Sequence, residues 1–147
     1  LEAVNGLQFI DRPVHNLSFG QKKRVTIASI LVLNPDMIIL DEPTAGQDFK
    51  HYTEIMEFLV DLNKKGVTIL MVTHDMHLML EYTNKVIVLS EGEKIADNIP
   101  AYILTTKEII EKANLKETSL HQLALKCDIE DTTKFVNKFI DYDRRVR

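Results

Sequence analysis

The sequence predicts an α/β fold with a mostly parallel sheet, followed by a helical extension. Three observations carry this expectation. Two short apolar runs, the continuous residues 37–40 and residues 67–72 with a single threonine, lead into Asp41-Glu42-Pro43 and Thr73-His74-Asp75. Between them, residues 49–65 repeat apolar side chains at helical spacing. After Pro100 the strand-like runs stop and helical patterns take over. A continuous apolar run of this length suits a strand buried on both faces, as in a parallel sheet. Strand–helix–strand order is α/β organisation.

Residues 13–18 form a break before Gly20. From 21 to 33, Val25, Ile27, Ala28, Ile30, Leu31 and Leu33 follow a basic start of Lys22, Lys23 and Arg24. This predicts a helix with Ser18 near its N-cap. Asn34-Pro35 ends it, because proline disfavours helix in the residue before it. The helix over 49–65 places Tyr52, Ile55, Met56, Leu59, Val60 and Leu62 at apolar positions, with Gly66 as the residue past its end. A short helix is expected over 76–82. Residues 85–89 and 93–96, joined through Ser90-Glu91-Gly92, form a hairpin. Three helices follow at 107–113, 119–127 and 131–142, with Thr106, Ser119 and Asp131 as caps. Arg144, Arg145 and Arg147 close the chain.

At 147 residues the chain can build one modest domain with a real core. Its 45% hydrophobic and 27% charged residues are ordinary for a globular protein. The net charge of −4 argues against a nucleic-acid binder, whose footprint is basic. A single cysteine, Cys127, makes no internal disulfide and suits a reducing, cytoplasmic setting. It is expected to be a small buried residue. Met37, Met56, Met71, Met76 and Met79 read as core packing rather than ligands. No apolar run approaches the roughly 20 residues that span a bilayer. The chain opens on Leu1 and Glu2, without a signal-peptide pattern, so a start further upstream is expected.

The candidate chemistry begins at Asp41-Glu42. The carboxyl edge of a parallel sheet is where α/β folds bind ligands. An Asp there can hold Mg²⁺, and a Glu beside it can orient or deprotonate water. His74, at the end of the second run, can donate a hydrogen bond to a phosphate oxygen. His15, His51, His77 and His121 read as polar loop histidines. Leu17-Ser18-Phe19-Gly20-Gln21 opens the basic helix, and a helix N-terminus with a hydroxyl, a glycine and nearby lysines is a ready anion site. Singly, these features also fit an acidic turn, a loop histidine and a capped helix.

Their order and spacing are specific. Leu17-Ser18-Phe19-Gly20-Gln21, Ile38-Ile39-Leu40-Asp41-Glu42-Pro43-Thr44, Ala45-Gly46-Gln47-Asp48 and Thr73-His74-Asp75 resemble, in turn, the signature motif, Walker B with its catalytic Glu, the D-loop and the switch histidine of the ABC ATPases. The resemblance covers residues 1–97. It implies the C-terminal portion of a P-loop NTPase domain, with residues 1–34 ending a helical subdomain and 35–97 forming the second half of the ATPase core. Residues 98–147 would be a helical extension. It further implies ATP and Mg²⁺ as cofactors, Asp41 on the metal through water, Glu42 as general base and His74 on the γ-phosphate. Asp48 would lie at a dimer contact. Ser18, Gly20 and Gln21 would face ATP held by a second ABC ATPase domain in a head-to-tail dimer. Phe19 departs from the usual Leu-Ser-Gly-Gly-Gln and points to a weaker or asymmetric site.

Residues 17–31, the Thr44–Asp48 loop and the tail look like the ATPases of energy-coupling-factor (cobalt- and vitamin-type) importers. This implies transmembrane transporter subunits as partners, a location on the cytoplasmic face of the membrane, and a vitamin, metal ion or similar cargo. A non-transport ABC ATPase of the translation or DNA-repair type is the alternative. Residues 119–142 also have a helix–turn–helix look. The acidic Asp128, Glu130, Asp131, Asp141 and Asp143 balance their charge, so no nucleic-acid partner is expected. Finally, no G-x-x-x-x-G-K-[ST] run and no glutamine loop occurs in these residues. The expectation is a fragment with exposed strand edges and no appreciable ATP hydrolysis alone.

Overall fold

The computed structural model describes residues 6–146; Arg147 and the first five residues of the resemblance lie outside them. The chain divides into two compact units, Leu1–His74 and Asp75–Arg147.

In the first unit, 3₁₀ turns at Leu7–Phe9 and Val14–Asn16 precede helix α1, Phe19–Leu31. Ser18 caps α1 through a reciprocal capping box. Its hydroxyl accepts from the Gln21 amide, and the Gln21 side chain accepts from the Ser18 amide. Asn34, at φ 47°, turns the chain towards β1, Met37–Asp41. Helix α2, Phe49–Lys64, returns it to β2, Thr68–Val72, and Gly66 at φ 98° supplies the left-handed residue after α2. The strands pair in parallel from Met37 opposite Thr68 to Asp41 opposite Val72. Both therefore end at the same level, and the polar residues after each emerge side by side.

Two-face burial of these strands, expected from their apolar runs, is not reached among the described residues. Ile38 and Leu40 are buried, but Met37 is 53% and Ile39 63% exposed, and Leu70 and Val72 are exposed too. Strand side chains alternate between faces. The apolar residues buried within this unit include Ile27 and Ala28 on α1 and Ile55, Met56 and Leu59 on α2.

The second unit opens with α3, Met76–Tyr82, whose first amides donate to the Asp75 carboxylate. Strands β3, Val86–Ser90, and β4, Glu93–Asn98, form an antiparallel hairpin. Its turn places Glu91 at φ 51° and Gly92 at φ 80°, the paired left-handed residues that match strand twist. A one-turn helix, α4, Pro100–Ile103, was not foreseen; proline at its N-terminus suits a position that has no partner for an amide. Helices α5, Lys107–Lys112, α6, Ser119–Lys126, and α7, Thr132–Val146, complete the unit. Thr118, not Ser119, caps α6, while Thr106 precedes α5 without a side-chain cap bond. Asp131 accepts from the Lys134 amide, as a cap should. The core joins Leu80 of α3, Val86 and Val88 of β3, Ile103 of α4 and Val136 and Ile140 of α7.

Three further expectations change. Cys127 is exposed at the end of α6. Met37 is not core. His121 is buried at 5% exposure rather than lying in a loop, and His51 and His77 are on helices. No described helix is long and apolar enough to cross a membrane.

Candidate functional site

The parallel register sets Asp41-Glu42 beside Thr73-His74. Glu42 leaves β1 with its backbone in the left-handed region, φ 44°, and its amide donates to the Val72 carbonyl at 2.9 Å. That bond ties the tips of the two strands together. The Glu42 carboxylate then turns to β2. Oε1 accepts from the His74 amide at 2.9 Å and lies 2.6 Å from His74 Nδ1, and Oε2 accepts from Thr73 Oγ1 at 3.3 Å. Burial alone would raise this carboxyl's pKa, but the hydrogen bonds from His74 and Thr73 and the nearby imidazole outweigh it. Glu42 is held below its ordinary range and is ionised at neutral pH. His74 keeps 88% of its side chain exposed, so one face of the pair opens to solvent.

Asp41 stands exposed beside this pair. Among the described residues no group of three or more His, Cys, Asp or Glu could hold a metal ion. Magnesium bound with nucleotide needs only one or two carboxylates beside phosphate oxygens, and Asp41 fits that role.

The three basic residues opening α1 do not act together as an anion site. Lys22 is exposed, Arg24 is buried against Glu54 on α2, and Lys23 donates to the Glu42 carbonyl. Desolvation lowers the Lys23 ammonium below the ordinary lysine range, against the upward pull of Glu42 and Asp41. Ser18 and Gln21 are engaged with each other, and the Gln47 side chain lies over Gly20, its Oε1 2.3 Å from where a Cβ would stand. The loop 45–48 thus lies against the start of α1. Asp48 caps α2 by accepting from the His51 amide and ring, and these bonds hold its carboxyl below the usual range.

Sequence reasoning put Asp41-Glu42 and His74 at the ends of two strands, and the structure brings Glu42 and His74 into contact. Sequence reasoning missed Thr73 as a partner of Glu42, Lys23 on the Glu42 carbonyl, and the Arg24–Glu54 pair. Only the last left a signal. Arg24 shares a helix face with Ile27 and Ala28, three and four residues on, so a charge there needs a partner.

The family model described as "ABC transporter" matches residues 1–45. A protein of Clostridium perfringens (strain 13 / Type A), "Putative ABC transporter ATP-binding protein", is 74% identical over 92% of this chain and 24% of its own length. The chain thus spans about a quarter of the curated relatives it matches. Among solved structures, CbiO1 from Clostridium perfringens, part of the ABC transporter complex CbiONQ, is 42% identical with a TM-score of 0.66, over 85% of this chain and 50% of that one. The dimeric ATP-binding cassette MJ0796, bound to ADP and Pi, is 33% identical with a TM-score of 0.61, over 67% of this chain and 44% of that one.

Proposed function

We propose that this chain, which belongs to the ABC transporter family as part of an ATP-binding domain, works in a protein that hydrolyses ATP to drive a solute across a membrane. The observation that carries the reading is the ionised Glu42 carboxylate held by Thr73 and His74 at the shared strand edge. A carboxylate kept ionised beside an exposed imidazole can take a proton from water attacking a phosphoryl group. His74 then serves as donor to the γ-phosphate. Asp41 would hold Mg²⁺, directly or through water, and that ion would neutralise charge on the phosphates. No G-x-x-x-x-G-K-[ST] run that would cradle the phosphates occurs in these residues.

The likeness to a dimeric cassette bound to ADP and Pi supports a pair of ATPase domains. In that pair, Ser18, Gly20 and Gln21 face nucleotide held by the other domain, and Asp48 lies at the contact. Gln47 must swing off Gly20 before a phosphate can reach it. The likeness to CbiO1 supports an importer of the energy-coupling-factor type, with transmembrane subunits, a cytoplasmic-face location and a vitamin, metal ion or similar cargo.

Glu42→Gln tests the core of this reading in the protein expressed from its complete reading frame. It should lower ATP turnover by roughly 10²–10⁴-fold while ATP still binds. Full turnover by that variant removes Glu42 as the base.

A further inference from the structure

Glu42 holds a conformation that its own chemistry does not favour. At φ 44° a residue with a Cβ persists only where its surroundings fix it. The amide is fixed by Val72 at 2.9 Å. The carbonyl accepts a turn bond from the Ala45 amide at 3.3 Å and, from nineteen residues earlier in the chain, the Lys23 ammonium. Lys23 is itself held. Its ammonium lies 5.5 Å from the centre of the Phe19 ring, a cation–π distance. The same ring would meet a Cβ on Gly46 at 3.6 Å, so it sits against the turn that Glu42 begins. The aromatic residue in place of the usual signature glycine thus has a structural partner.

We propose that Lys23 is a positioning residue for hydrolysis: by bonding the Glu42 carbonyl it locks the left-handed backbone from which the Glu42 carboxylate is aimed at His74. The ammonium engages the main-chain oxygen, so Lys23 acts through Glu42 rather than on substrate. This rests on the reading of Glu42 as general base. It also makes the first turn of α1 a physical support for the base in its own chain, beyond whatever that turn offers to nucleotide.

The test uses Lys23→Met and Lys23→Arg in the protein from its complete reading frame, each alone and with Glu42→Gln. Lys23→Met should lower kcat roughly tenfold, within the 10²-fold that a 1 Å misplacement can cost, with KM for ATP and Tm unchanged. Lys23→Arg, which keeps a cationic donor, should recover most of the loss. In the Glu42→Gln background, measured by single turnover, Lys23→Met should cause no further loss. Wild-type kcat in Lys23→Met overturns the proposal. So does a raised KM with unchanged kcat, which would make Lys23 a nucleotide contact, or an equal loss in the Glu42→Gln background. If Lys23→Met lowers Tm, Lys23→Gln, which retains a donor, must recover kcat towards wild type as Lys23→Arg does, and a kcat no better than that of Lys23→Met overturns the proposal. Full turnover by Glu42→Gln alone would instead remove the base reading and this one with it.

Discussion

Replacing Glu54 by alanine should be among the most destabilising single changes in the first unit. The Arg24 guanidinium is 2.5 Å from the Glu54 carboxylate, with the two side chains 7% and 31% exposed. Two unit charges about 4 Å apart attract by ~4 kcal/mol at an effective dielectric of about 20. Most of that attraction offsets the cost of taking both groups from water. Removing Glu54 leaves a nearly buried guanidinium without its counter-charge, a loss of about 3–5 kcal/mol for a buried pair. Because Glu54 is nearly a third exposed, water can enter, which puts the expected cost near the lower end, about 3 kcal/mol. Thermal unfolding of the protein from its complete reading frame should show a Tm drop of roughly 6–12 °C. The Arg24→Met/Glu54→Met double variant buries no charge and should lie within about 1 kcal/mol of wild type. A Glu54→Ala cost below about 1 kcal/mol, or a double variant that loses the sum of the two singles, would refute the reasoning.

Four other measurements follow from the same structure. Met56 is fully buried on α2, so Met56→Ala should cost about 2–5 kcal/mol in urea unfolding. Ser18→Ala removes the hydroxyl half of the capping box and should cost about 1 kcal/mol, read as fraying of α1 by amide hydrogen exchange. Gly46→Ala should cost about 1 kcal/mol through its φ of 70° rather than through a clash, since its Cβ would meet Phe19 at 3.6 Å. The folded pKa of Glu42 is depressed, so its stabilisation is present above the ordinary carboxylate value of about 4.3 and is lost as pH falls through the lower folded value. The Tm gap between wild type and Glu42→Gln should therefore be flat above about pH 5 and close in stronger acid. A gap that instead widens on acidification would contradict the depressed pKa.

What the sequence made legible was local. Residues 37–40 and 67–72 announced strands because a short apolar run closed by polar residues has few other uses, and the spacing of Ile55, Met56 and Leu59 announced α2. Glu42 and His74 could be foreseen as neighbours once both strands were taken as parallel. Burial of the strands could not. An apolar run states what a strand can bear on each face, whereas Met37 and Ile39 stand exposed because burial depends on what lies across from them. The Lys23 bond to the Glu42 carbonyl was hidden for another reason. A side chain meeting a main-chain oxygen across nineteen residues creates no periodicity and asks for no particular residue at the acceptor. Similarly, α4 is a single turn, too short to leave a repeat.

The level ending of β1 and β2 bears on which length changes the chain can absorb. Residues added in the short connection after α2, around Lys65 and Gly66, leave Asp41 opposite Val72, and loop lengthening is inexpensive in free energy. One residue added inside β2 would carry His74 about 3.3 Å past Glu42 and turn every later side chain of that strand to the opposite face. Insertions and deletions among natural variants should therefore collect at residues 65–67, between α2 and β2, and avoid the ten paired positions of the two strands. A variant that does lengthen one strand should carry a matching change in the other.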